Sequence, residues 1–125
     1  MIVDTHVLIW FAGGSPRLPV SMRDELMHGS TAPTFSTISI WEIAIKGARH
    51  RSFDVDPAEM RAAFLARNWT ELPFTGDHAV AVRDLPPIHA DPFDRALLAQ
   101  AIVEGMELVT ADKALIGYGA PVREM

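Results

Sequence analysis

The sequence predicts a three-layer α/β/α protein in which helices cover both faces of a central parallel sheet. Three observations carry this expectation. Short apolar or β-branched runs bounded by turn residues recur at Met1 to Val3, Thr34 to Thr37, Thr70 to Leu72 and Glu107 to Thr110. One or two helical patterns separate each run from the next. A strand, helix, strand succession of that spacing is the crossover of a parallel sheet. With 125 residues, 49% of them apolar and 22% charged, the chain is long enough for one domain with a real core, expected to span residues 1–125.

Met1 to Val3 reads as a buried strand ending at Asp4, and Thr5 to Phe11 as a helix closed by Gly13 and Gly14. Ligands collect at the carboxyl ends of parallel strands, which makes Asp4 a candidate by position. A plain helix cap at Asp4 or Thr5 explains the same residues. Val20 to His28 follows Pro16 and Pro19 as a second helix whose Met22, Leu26 and Met27 read as packing. After the strand at Thr34 to Thr37, Ser39 is the expected cap of a helix with Ile40, Trp41, Ile43, Ala44 and Ile45 mostly buried. Glu42 is the one acid in that apolar face, at capping-box distance from Ser39.

Lys46, Arg49, His50 and Arg51 form a basic cluster beyond this helix, explained either by the helix dipole or as a phosphate-steering patch. Asp56 and Pro57 open a helix running to about Asn68, with Glu59 as a capping acid. A short helix from Gly76 to about Val82 precedes the break at Pro86 and Pro87. His89 and the other histidines read as structural or supporting, since no pair has metalloprotease spacing.

In D-P-F-D-R-A-L-L-A-Q-A, Asp91 suits the N-cap and Pro92 the first helical position; apolar residues then wrap the helix until Gly105. Asp94 lies one turn before Leu97 and Leu98 and so begins on the interior side. It is either the back-bonding acid of a capping box or a buried carboxylate that needs a partner. Asp112, in the turn after the strand at Glu107 to Thr110, repeats the position of Asp4. Val122 reads as a last edge strand.

Four acids therefore stand at one expected rim: Asp4 and Asp112 after strands, Glu42 and Asp94 in the first turns of helices. Converging carboxylates repel unless protons or cations intervene, and oxygen ligands suit Mg²⁺ or Mn²⁺. Ions held this way activate water against a phosphodiester. Asp4 and Asp94 are the first-choice ligands, with Glu42 and Asp112 completing the site, Thr5 orienting Asp4, and Arg95 touching phosphate or pairing with an acid. With no cysteine, disulfides and Cys-ligated metal are excluded. A net charge of −5 argues against broad electrostatic coating of nucleic acid, although bound divalent ions reverse the local sign. The apolar run Val7 to Ala12 is too short to span a bilayer, and a cytoplasmic protein is expected.

The segments I-V-D-T-H-V-L-I-W, S-I-W-E-I-A-I-K, D-P-F-D-R-A-L-L-A-Q-A and L-V-T-A-D-K, in this order, strongly resemble PIN-domain proteins of the VapC toxin type. The resemblance implies a PIN-like fold and a Mg²⁺- or Mn²⁺-dependent endoribonuclease, inhibited by a VapB-type antitoxin and usually dimeric. It carries the family's acids onto Asp4, Glu42, Asp94 and Asp112, and its Thr or Ser onto Thr5, with Asp91 in a supporting role. With RNA as the substrate, Lys46, Arg49 and Arg51 become candidate contacts. One departure is the run G-A-R-H-R-S-F at Gly47 to Phe53, where relatives often carry Gly-Lys-Leu. A haloacid-dehalogenase-type phosphatase also begins with a strand ending in Asp, but its second Asp is His6 here. A PIN-like module that binds RNA or protein without cutting is the remaining alternative, disfavoured because a dead site has no need to gather unpaired charge.

Overall fold

The computed structural model describes residues 1–125. In chain order the elements are β1 (Ile2–Val3), α1 (Thr5–Gly13), α2 (Val20–His28), β2 (Thr34–Ser36), α3 (Thr37–Lys46), α4 (Pro57–Ala66), β3 (Thr70–Leu72), α5 (Gly76–Ala81), α6 (Pro92–Glu104), β4 (Leu108–Thr110), α7 (Lys113–Ile116) and β5 (Val122–Glu124). All five strands are parallel and lie in the order β3-β2-β1-β4-β5. The chain lays β2 and β3 on one side of β1 and β4 and β5 on the other. The crevice at the carboxyl ends of β1 and β4 is therefore the switch point where open sheets of this kind hold ligands.

Side-chain alternation along the strands splits the core into two layers. Val3 and Val109 face a layer with Val7, Leu8 and Phe11 of α1, Met22 and Leu26 of α2, and Met60 and Phe64 of α4. Ile2 and Leu108 face the other, with Leu97, Leu98 and Ala101 of α6 and Leu115 of α7. Register pairs Ile2 with Leu108 and Val3 with Val109, so Asp4 leaves β1 level with Thr110 at the end of β4. Helix α6 stops at Gly105, whose φ of 65° is the left-handed conformation that closes a helix and that a side chain disfavours.

Helix α3 departs from the sequence reading in two ways. It begins before Ser39: Ser36 is the cap, its hydroxyl oxygen accepting the Ile38 amide at 3.0 Å. The strand runs straight into the helix, and Ser36 is also tied by donation to Oε1 of the buried Gln100 on α6. Ser39, now inside the first turn, accepts the Thr5 hydroxyl at 2.9 Å and ties the start of α3 to the start of α1. Its apolar side is not all interior either. Trp41 and Ile45 are each 55% exposed, and a groove of about 620 Å³ between α3 and α4 is lined by Ile40, Trp41, Ala44, Ala62 and Leu65.

Candidate functional site

Asp4, Glu42, Asp94 and Asp112 meet at the carboxyl edge of the sheet, each carried there by a different element. Asp4 caps α1: one carboxylate oxygen accepts the Thr5 amide at 2.8 Å and the other the Thr110 hydroxyl at 2.9 Å. The Thr110 oxygen in turn accepts the Asp112 amide at 3.0 Å, so one hydroxyl ties the turns after β1 and β4 together. Asp112 caps α7 through the Ala114 amide. Thr5 thus orients Asp4 through its backbone, while its hydroxyl serves Ser39.

Asp91 caps α6, accepting the Phe93 and Asp94 amides. Asp94 does not reach back to close a capping box. The Asp91 amide donates instead to Nδ1 of His89 at 3.3 Å, which leaves the ring proton on Nε2. That Nε2 lies 2.8 Å from Asp94 and 3.2 Å from Asp112, bridging the two acids. Glu42 is buried, with Oε2 on the Lys46 ammonium at 2.8 Å and Oε1 buried with no hydrogen-bond partner. Lys46 also donates to Asp91 at 3.0 Å and stands about 5 Å over the rings of Phe53 and Phe93.

Burial sets the electrostatics. It pushes the Asp4 carboxyl up to about 7, helped by Glu42 and Asp112 and opposed by the Thr110 and Thr5 hydrogen bonds. Burial also pushes Asp94 up, to about 8, reinforced by the charges of Asp4, Asp91, Glu42 and Asp112. For Asp91 burial acts upward too, but the Lys46 contact and two amides outweigh it and hold the group below its ordinary value. For Lys46 burial acts downward, and the bonds from Glu42 and Asp91 outweigh it and leave the ammonium raised.

Two triads present ligand atoms within 4.8 Å of one another: His89, Asp94 and Asp112, and Glu42, Asp91 and Asp94. The unpartnered Glu42 Oε1 and the oxygen-rich donors fit a hard divalent cation. A pH dependence follows. Groups whose folded pKa is raised contribute stability that is complete below the unfolded value near 4 and is lost as pH climbs through the folded value. Without metal, the melting temperature is therefore expected to fall as pH rises from about 4 to about 8, steepest between about 5 and 7 where both groups keep their protons only in the folded chain, and to level off above about 8. Divalent ions, which compete with those protons, are expected to raise the melting temperature more at the alkaline end. Scanning calorimetry across pH with and without the ion checks both signs.

Several side chains have positions the sequence did not reveal. His89 holds two site acids, where the sequence suggested only a structural or supporting role. Lys46 belongs to the acid cluster instead of an outlying basic patch; Arg49 and Arg51 do stand exposed in the loop after α3 and make no ion pair. Arg95 meets neither expectation of an acid partner nor of an open phosphate contact. Its guanidinium donates to the carbonyls of Val82, Leu85, Pro86 and His89 and to the Tyr118 hydroxyl, pinning the segment that delivers His89. Beside Asp4 and Asp112 an open pocket of about 290 Å³ is lined also by His6, Trp10 and Arg17. None of those three follows from a motif; the i, i+4 spacing that puts His6 and Trp10 on one face of α1 is the only signal.

A doubly wound parallel sheet with carboxylates gathered at its switch point defines an α/β protein whose acidic cluster is compatible with a divalent cation. The PIN domain family model matches residues 1–120, and the chain belongs to that family, whose members are generally nucleases. Among solved structures, VapBC2 from Rickettsia felis bound to a DNA fragment from its promoter superposes with a TM-score of 0.72 at 15% identity, covering 98% of this chain and 96% of that one. A toxin–antitoxin complex from Klebsiella pneumoniae gives 0.70 at 19% identity, covering 98% and 94%. DNA-bound VapBC from Salmonella typhimurium gives 0.70 at 16%, covering 99% and 95%. These likenesses share the fold. No curated protein matches the chain.

Proposed function

We propose that this chain is a VapC-type toxin, a single-domain endoribonuclease that hydrolyses RNA phosphodiesters with Mg²⁺ or Mn²⁺ and is restrained by a VapB-type antitoxin. The observation that carries the reading is the meeting of Asp4, Glu42, Asp94 and Asp112 at the switch point with the buried Glu42 Oε1 left unpartnered. Membership of the PIN family and the likeness to VapBC complexes support it.

In this reading the four acids hold the ion, and His89 keeps Asp94 and Asp112 aimed at it. The bound ion supplies a nucleophilic water and neutralises charge on the phosphate. Arg17, exposed above the Trp10 ring at 6.0 Å, together with Arg49 and Arg51, supplies positive charge for the RNA backbone around an otherwise acidic site. Trp10 offers a ring face to an unpaired base, the usual way single-stranded RNA is held. The exposed apolar strip at Trp41, Ile45 and Leu65 is the kind of surface that a chain working with a protein partner carries, be it the antitoxin or a second copy in a homodimer. No helix is long and apolar enough to cross a membrane, and action in the cytoplasm, where RNA is met, completes the proposal.

Purified without antitoxin, the chain is expected to cut RNA in Mg²⁺ or Mn²⁺ and to stop in EDTA. RNA binding that EDTA leaves unchanged, with no cleavage across many RNAs, replaces the nuclease with a non-catalytic binding module.

A further inference from the structure

The acid cluster offers two places for a cation, and a lysine ammonium stands in only one of them. Glu42, Asp91 and Asp94 bring ligand oxygens within 4.8 Å of one another, a spacing that by itself suits a metal ion. A charged group already stands there. The Lys46 Nζ is 2.8 Å from Glu42 Oε2 and 3.0 Å from Asp91 Oδ2, and it stands over the rings of Phe53 and Phe93 at 5.0 and 5.1 Å. The helix fixes this placement, since Glu42 and Lys46 are one turn apart on α3. A divalent ion of this class needs its oxygens at roughly 2.0–2.2 Å, which puts it in the space the ammonium fills. Two cations cannot share that gap.

The second place differs. Between Asp94 and Asp112 stands the His89 Nε2, at 2.8 and 3.2 Å, a ring nitrogen that becomes a metal ligand once it gives up its proton, and no lysine or arginine makes an ion pair with any of the three. Glu42 Oε1, on the carboxylate whose other oxygen Lys46 takes, is buried and unpartnered. We propose that Lys46 is a built-in monovalent cation of the site, filling the Glu42, Asp91 and Asp94 position so that each chain takes a single divalent ion on the Asp94 and Asp112 side. Lys46 is then a positioning residue that sets metal stoichiometry. This deepens the proposed metal-dependent reading and rests on it.

The test counts ions and does not depend on activity. Metal-free full-length chain is titrated with Mn²⁺ in a calorimeter, with equilibrium dialysis as a second count and circular dichroism as the check on folding. Wild type is expected to bind one ion per chain. Lys46→Met keeps an unbranched side chain of similar length, removes the charge and is expected to bind two. Lys46→Arg restores a cation and is expected to return the count to one. Lys46→Gln, neutral and able to hydrogen-bond to both acids, replaces the methionine variant if that one does not fold. Two ions in wild type, or a folded neutral variant that still binds one, overturns the proposal. No ion in any variant overturns the metal site itself, and the two failures are told apart by the wild-type count.

Discussion

Asp94→Asn is expected to lose divalent-metal-dependent RNA cleavage by at least about a hundredfold, because even outer partners of metal ligands are typically worth 10–100-fold and Asp94 is argued to be a ligand itself. The fold should survive. Asparagine preserves the side chain's shape and hydrogen-bonding reach, and Asp91, not Asp94, caps α6. The same substitution removes a charge that burial and four neighbouring acids disfavour, so the metal-free variant should melt no lower than wild type, and higher at alkaline pH. Cleavage rate and thermal melting measured on one preparation therefore move in opposite directions. Wild-type activity in the variant ends the proposed role of Asp94. Glu59→Gln, on an exposed turn of α4, serves as the silent control.

Arg95→Ala is expected to lower stability by about 3 kcal/mol, on the order of 10 °C in melting temperature for a domain of this size. One guanidinium organises Val82, Leu85, Pro86, His89 and Tyr118, and its removal leaves several carbonyls of that segment without their donor. Lysine should rescue little, since a point charge cannot reproduce the planar fork. Because the segment also delivers His89 to Asp94 and Asp112, divalent-ion affinity should fall with stability. An Arg95→Ala protein that melts like wild type would show that the segment holds itself in place.

The parallel α/β architecture was legible from the spacing of apolar runs, and Asp4 and Asp112 from their places at strand ends. Glu42 and Asp94 stood out because each is an acid in the first turns of a mostly apolar helix. The start of α3 was not legible. Ser36, Thr37 and Ser39 are all competent caps, and the choice is made by Gln100, which lies 64 residues further along and joins Ser36 only in the folded chain. Nor was the partner of Asp94. Capping-box spacing is satisfied by Asp91 and Asp94 as letters, yet His89 takes the amide that Asp94 would have needed. Lys46 read as an outlying cation because the second acid it meets, Asp91, is 45 residues away. Arg95 likewise finds its acceptors through the irregular segment before α6, whose path no periodicity describes.

Asp4, Asp91 and Asp112 each begin a helix by holding its first amides. Asparagine caps a helix about as well as aspartate. A codon for aspartate becomes one for asparagine by a single G-to-A transition. Under the toxin reading proposed above, the gene lies one common replication error from a folded but inactive protein, and copies silenced in this way should accumulate wherever the restraining antitoxin is lost.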